Sequence, residues 1–367
     1  MSKTPKSSHI MTFLPSKFTF KLIIINLFVF IGLLCLLELA LRLAGIGYGS
    51  NPMLPSPVYH HVHPSEYRFV SYSQSNDFGG FEVYYDESGM VAPPYPVAER
   101  SAFQDTIVFL GDSFVEGLQV PFDSGFVARL QREFPQTKLL NFGTSGYAPS
   151  VYYLLVKNKI LTLPAPPAAV FIVLYSNDIE DDQTYLKTAV FDPSGDLTRL
   201  NGAPQSPVIP LLRQSYLFRL LRSAQIRLRY MINHWHEDSK AVGGYIEQFA
   251  DFEGTPSAFY TQKTIELLRE NDIPVFLTAI PSKYCHVRRD YSTPSFPVKV
   301  QAWAESRNIP FIDLERPLRV WAQKHPGQSA FFEKDIHFNE KGHAFMAAQL
   351  RPYLTSILSK KDSVPPQ

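Results

Sequence analysis

Cysteine is almost absent from this 367-residue chain: there are 2, Cys35 inside an apolar run and Cys285 far along the sequence. They are poor partners for one structural disulfide, and cysteine usage leaves the compartment open. An excess of charge is equally lacking. With 35 Lys and Arg against 34 Asp and Glu, the formal net charge is +1, so no global field favours a polyanionic partner such as nucleic acid. No Gly-rich phosphate loop with its lysine precedes a helical pattern, and there is no internal repeat or extended low-complexity tract. His60, His61 and His63 form one cluster and His234 and His236 another, but neither has an adjacent Cys or a helix-spaced partner motif. No metal and no cofactor is expected.

One long hydrophobic run is present. The first twenty residues carry Lys3, Lys6 and Lys17 and no acid, and Lys21 leads into an apolar stretch from Leu22 to Ala44, long enough to span a bilayer. A secretory signal peptide is the competing reading; its apolar region is usually about 7 to 15 residues, and Leu39 to Ala44 offers only a weak cleavage site. A lipid on Cys35 is disfavoured by Leu34 directly before it, where a small residue is expected. Lysines precede the run and no Lys or Arg lies between Gly45 and His60, so residues 1–21 are expected in the cytoplasm, 22–44 across the inner (cytoplasmic) membrane as a single pass, and the remainder on the periplasmic side. Glu38 and Arg42, four apart on one helical face, can neutralise each other near the outer end.

Residues 45–102 read as a connector and edge region with Pro-rich spacers at 51–58 and 92–97. From Asp105 short aliphatic runs alternate with amphipathic stretches. Thr106–Leu110, Lys138–Asn141, Ala169–Tyr175, Pro274–Ile280 and Pro310–Asp313 read as strands, and Gly125–Phe134, Ser257–Asn271, Lys299–Arg307 and a segment after Lys341 as helices. That alternation predicts an α/β domain at 103–358 with a central parallel sheet. The gap at 181–255 exceeds what one crossover needs and reads as an insertion that could form a lid. Inside it, Ile209–Asn233 carries five arginines and no acid. An amphipathic helix with a solvated arginine face is expected, with contact to anionic lipid or a polyanionic polymer as the alternative. Residues 359–367 read as a disordered tail.

Four short segments carry chemistry. Thr106 to Gly117 is a hydrophobic strand running into a turn, which places Ser113 at a carboxyl strand end with its N–H facing outward, where it could stabilise an oxyanion. Ser113 with Glu116 also fits a helix capping box, which needs no catalysis. Asn141 to Tyr147 is a second turn of this kind, in which Gly146 can bring its N–H close to a ligand. Ile172 to Asp178 ends a third strand on Asn177, whose amide can donate to the same oxyanion. In Phe332 to His343, residues two apart in an extended segment project to one side, so Asp335 can hold one nitrogen of His337 while the other faces Ser113. His343, on the final helix, reads as structural.

Gly111-Asp112-Ser113, Gly146, Asn177 and Asp335 with His337, in this order, resemble the four signature blocks of the SGNH/GDSL hydrolase superfamily across roughly Thr106 to Leu350. The resemblance implies a flavodoxin-like three-layer α/β/α sandwich. It also implies Ser113 as nucleophile, His337 as base, and an oxyanion hole of the Ser113 N–H, the Gly146 N–H and the Asn177 amide; Gly111 and Asp112 brace the turn. One departure is the spacing Asp335-Ile336-His337, with Lys334 at the position where the family more commonly has its acid. The shorter spacing resembles that of SGNH-like proteins acting on acetylated polysaccharides. The whole arrangement resembles membrane-tethered bacterial esterases and implies an acylated carbohydrate or a lipid ester as substrate. An O-acyltransferase using the same residues and a non-catalytic glycan-binding or assembly protein are the alternatives.

Overall fold

The computed structural model describes residues 17–44, 52–73, 77–96, 103–202, 206, 208, 212, 214–234, 250–283, 285 and 293–362. Most of residues 1–21, expected in the cytoplasm, part of the expected tail, and residues 235–249 of the insertion, His236 among them, lie outside the described residues.

The apolar run forms helix α1 (Lys17–Leu43). Its part from Phe20 to Leu43 has 24 residues and a mean hydropathy of 2.8; at 1.5 Å per residue it reaches about 36 Å, more than the roughly 30 Å hydrocarbon core of a bilayer. It is long and apolar enough to cross a membrane, a property that an anchor shares with a signal sequence.

Residues read as a connector and edge region form five strands: β1 (Leu54–Pro55) with β2 (His61–Val62), and an antiparallel sheet of β3 (Tyr67–Tyr72), β4 (Gly79–Tyr85) and β5 (Val91–Ala92). Phe69, Val83 and Tyr85 bury one face of this sheet against Leu118. Tyrosines on both faces of β3 and β4 blur the period-2 pattern that would have announced the strands.

The body of the fold follows as β6 (Asp105–Gly111), α2 (Ser113–Glu116), α3 (Phe126–Glu133), β7 (Thr137–Gly143), α4 (Pro149–Leu155), β8 (Ala169–Leu174) and α5 (Asp178–Tyr185). The insertion adds a hairpin of β9 (Ala189–Phe191) and β10 (Leu197–Leu200) and the helix α6 (Tyr216–His234). The chain closes with α7 (Pro256–Glu270), β11 (Val275–Ala279), α8 (Phe296–Glu305), β12 (Phe311–Ile312), α9 (Glu315–Lys324) and α10 (Glu340–Asp362). All five predicted strands of the domain are present. Their order is β12-β11-β8-β6-β7, parallel throughout, the flavodoxin-like arrangement in which the order reverses beside the first strand.

Alternation along β6 divides the core. Val108 and Leu110 pack with α4, α7 and α8 on one face; Ile107 and Phe109 pack with α3, α9 and α10 on the other. Both faces are thus covered, which is why the runs are continuously apolar, and every residue of the central strand β8 is buried. The protein is a three-layer α/β/α sandwich with a central parallel sheet, preceded by one apolar helix. Truncating a side chain such as Phe109 in such a core costs about 3–5 kcal/mol.

The C-terminal end of α1 meets the insertion. Arg42 pairs with Glu38 at 2.8 Å, and Glu38 also accepts hydrogen bonds from the N–H groups of Tyr216 and Leu217 at 2.9 and 2.8 Å and from the Ser215 hydroxyl at 2.9 Å. It therefore caps α6, satisfying donors that a helix start leaves unpaired.

Candidate active site

Ser113 begins α2 directly after β6. The cap of this short helix is Asp112, whose Oδ1 accepts the Phe114 N–H at 2.9 Å, and Gly117 closes it in the left-handed conformation. The capping box read from Ser113 and Glu116 does not form. Ser113 Oγ faces His337 instead, and the Glu116 carboxylate turns inward to the residues before the domain. Gly143, at the end of β7, lets the strand end pack against α2, since a Cβ there would collide with the Glu116 backbone N.

His337 Nε2 is 2.7 Å from Ser113 Oγ, and His337 Nδ1 is 2.5 Å from Asp335 Oδ1. An ionised carboxylate only accepts, so Nδ1 carries the proton and Nε2 is left to receive the Ser113 O–H. The segment is a bend where an extended strand was expected: Asp335 Oδ1 also accepts the backbone N–H of His337 at 2.9 Å, an Asx turn that sets the ring's direction. Burial works to raise the Asp335 pKa, but the bonds and charge of His337 outweigh it and hold the carboxyl below its usual range. The Phe114 ring lies beside the imidazole, centroids 4.9 Å apart. Lys334, at the position where the family more commonly has its acid, is exposed.

The loop has two supports that the sequence did not announce. Asp77 Oδ2 accepts the N–H groups of Lys334 and Asp335 at 2.5 and 2.7 Å, and Lys283 Nζ donates to the carbonyls of Glu333 and Asp335. Both lie far away in the chain, and no spacing signals them. His343 is buried on α10, accepts the Phe126 N–H at 3.3 Å, and is pushed down to a pKa of about 3 by burial.

Gly146 has φ 75°, a left-handed conformation natural to glycine, and its carbonyl accepts the Tyr185 hydroxyl at 2.5 Å. Asn177 follows β8; its Nδ2 donates to Asp181 Oδ2 at 3.0 Å, one turn along α5. Nδ2 has a second hydrogen, which that bond does not use. Around this turn sit Asp112, Asp178, Asp181 and Asp182. Burial is the first cause raising each of them: Asp112 and Asp182 to about 6, Asp181 to about 7, and Asp178 well above the usual carboxyl range.

The histidines near the start of the domain serve this same region. His63 Nε2 pairs with Glu116 Oε1 at 2.7 Å, and His61 Nε2 lies 2.8 Å from the Ser145 carbonyl. His234 ends α6. A largely apolar cavity of about 600 Å3 lies beside β5, α3 and β7, walled by Val91, Tyr95, Phe103, Phe126 and Leu140 among others; Ser113 and His337 do not line it.

The switch point of a flavodoxin-like sheet, carrying a serine bonded to a histidine that is itself bonded to an aspartate, defines an SGNH-type serine hydrolase. Residues 109–345 match the GDSL-like Lipase/Acylhydrolase family, and the chain belongs to that family. Among solved structures it is similar to a lipolytic G-D-S-L protein of Veillonella parvula (17% identity, 68% of this chain and 98% of that one, TM-score 0.39). It is also similar to the acetyl xylan esterase AlAXEase (14% identity, 68% and 99%, TM-score 0.40) and to a two-domain esterase active on acetylated mannans (13% identity, 71% and 51%, TM-score 0.37). No curated protein matches the chain.

Proposed function

We propose that this enzyme is a membrane-anchored esterase that cleaves O-acyl esters, O-acetyl esters among them, of envelope carbohydrate or lipid. The observation that carries the reading is the chain of two short hydrogen bonds from Ser113 through His337 to Asp335. Ser113 Oγ attacks the ester carbonyl and passes its proton to His337 Nε2, while Asp335 holds the imidazolium that forms. The N–H groups of Ser113 and Gly146 and the free hydrogen of Asn177 Nδ2 stabilise the oxyanion. His337 returns the proton to the leaving alcohol. Water then attacks the acyl-enzyme, giving its proton to His337, and the acid is released with Ser113 restored. Gly111 and Asp112 hold the nucleophile turn.

Residues 22–44 serve as a single-pass anchor in the cytoplasmic membrane, with 1–21 inside, 45–102 as a structured linker, the catalytic domain at 103–358 on the periplasmic side with its insertion at 181–255, and 359–367 as a tail. The lysines before the span and the cap that Glu38 gives to α6 support this arrangement. The test is hydrolysis of p-nitrophenyl esters of rising chain length and of O-acetylated polysaccharide by the full chain in detergent. Ester cleavage lost in Ser113→Ala supports the reading; cleavage retained in that variant contradicts it.

A further inference from the structure

Residues 59–63 precede the segment that matches the family, yet they reach the turn that follows β7. Glu116 is the centre of the contact. Its buried carboxylate accepts the Ser145 N–H at 2.7 Å and the Ser145 hydroxyl on Oε2, and the Tyr85 hydroxyl at 3.0 Å on Oε1. His63 Nδ1 lies 3.0 Å from the Pro52 carbonyl and its Nε2 lies 2.7 Å from Glu116 Oε1; burial works to lower the ring's pKa, but the charge of Glu116 outweighs it and holds the pKa above the usual histidine range, which favours the imidazolium. It stacks on Tyr85 with the planes 4° apart. The result is a buried ion pair, which leaves a costly lone charge if either partner is removed.

His61 sets the direction of the turn. A carbonyl only accepts, so His61 Nε2, 2.8 Å from Ser145 O, is the protonated nitrogen. Burial lowers the ring's pKa to about 4, which keeps it neutral; its Nδ1 then accepts from His60 Nδ1 at 3.0 Å. The Ser145 carbonyl and the Gly146 N–H belong to one planar trans peptide and point in opposite directions. Holding the carbonyl on His61 therefore fixes where the Gly146 N–H points. Glu116 holds the preceding peptide through the Ser145 N–H, and Tyr185 holds the following one through the Gly146 carbonyl.

We infer that His61 is a positioning residue for ester hydrolysis: through the Ser145–Gly146 peptide it aims the Gly146 N–H at the oxyanion, and the His63–Glu116 pair clamps the same turn. This rests on the reading of Gly146 as an oxyanion donor. Its cost and benefit fall on the transition state, because a ground-state carbonyl gains less from an aimed donor than the oxyanion does.

The test compares the full chain in detergent with His61→Leu, which fills the space without a donor, His61→Asn, whose shorter amide falls away from Ser145, and His61→Gln, whose amide reaches it. Fluorophosphonate titration counts competent sites, so that turnover of p-nitrophenyl acetate is expressed per site and misfolded protein drops out. The expected result is a kcat per site about 10- to 100-fold lower in His61→Leu and His61→Asn. KM should stay within about 2-fold, an alkylboronic acid should bind more weakly in proportion, and His61→Gln should recover most of the loss. Parental kcat per site in either loss-of-donor variant that folds, or a loss that His61→Gln fails to recover, overturns the inference. A parent that neither labels nor turns over overturns the reading of the site itself.

Discussion

His337 Nδ1 lies 2.5 Å from an oxygen of Asp335, two residues earlier, while its Nε2 faces Ser113. The Asx turn at Asp335 brings the carboxylate to the ring across the Asp-x-His spacing, with only Ile336 between the two residues. Asp335→Asn should therefore lower kcat by roughly 10^3- to 10^4-fold, since an amide can present an N–H to Nδ1 and favour the wrong tautomer. Lys334→Ala, which alters only an exposed side chain, should leave kcat within about 2-fold. Steady-state kinetics on one ester check both; a large loss in Lys334→Ala with little in Asp335→Asn would contradict the assignment.

Asn177→Ala should reduce kcat by about 10^2-fold with little change in KM, the cost of one oxyanion donor. The bond from Nδ2 to Asp181 holds the amide at the end of β8, so Asp181→Ala should give a smaller loss in the same direction. A raised KM with kcat unchanged in Asn177→Ala would mean that the amide binds substrate and does not act on the transition state.

Asp182 should make the protein less stable at alkaline pH. Its carboxyl is raised to about 6, first by burial, so the folded state holds the proton more tightly than the unfolded chain. The stability this contributes is complete below about pH 4 and is lost as pH rises through about 6. Asp182 Oδ1 accepts the Ser150 N–H at 3.0 Å, and its Oδ2 is buried without a hydrogen-bond partner among the described residues. An asparagine can keep the first contact and never charges. Asp182→Asn should therefore exceed the parent in stability by on the order of 2 kcal/mol at pH 8 and match it at pH 4. Thermal unfolding of both proteins at the two pH values measures this, and a variant that is destabilised equally at both would refute it.

The five domain strands were legible because a parallel sheet covered on both faces leaves short, continuously apolar runs, as at Thr106–Leu110 inside β6. The three catalytic-site turns were legible because each follows such a run. What stayed hidden depends on partners far away in the chain. His61 and His63 stood out as a cluster, but their partners Ser145 and Glu116 lie 84 and 53 residues on, and a single sequence contains nothing that pairs them. Glu116 suggested a helix cap for the same reason: its local spacing fits one, while burial against His63 decides otherwise. The sheet of β3, β4 and β5 was hidden by Tyr67, Tyr72, Tyr84 and Tyr85, whose large amphipathic rings occupy both faces.

Removing residues 1–44 should move the protein from the membrane pellet to the soluble fraction, since α1 carries the long exposed apolar surface from Phe20 to Leu43. The intact chain should resist carbonate extraction and keep its N-terminal mass. A chain found soluble with its first residues removed would identify the helix as a cleaved signal sequence.

The most direct measurement is intact-mass labelling of the full chain in detergent with a fluorophosphonate, alongside Ser113→Ala and His337→Ala. A serine activated by the 2.7 Å contact to His337 should give one adduct in the parent, none in Ser113→Ala, and a rate lower by at least about 10^3-fold in His337→Ala. A folded parent that takes no adduct, or an adduct that persists in Ser113→Ala, would contradict Ser113 as the nucleophile.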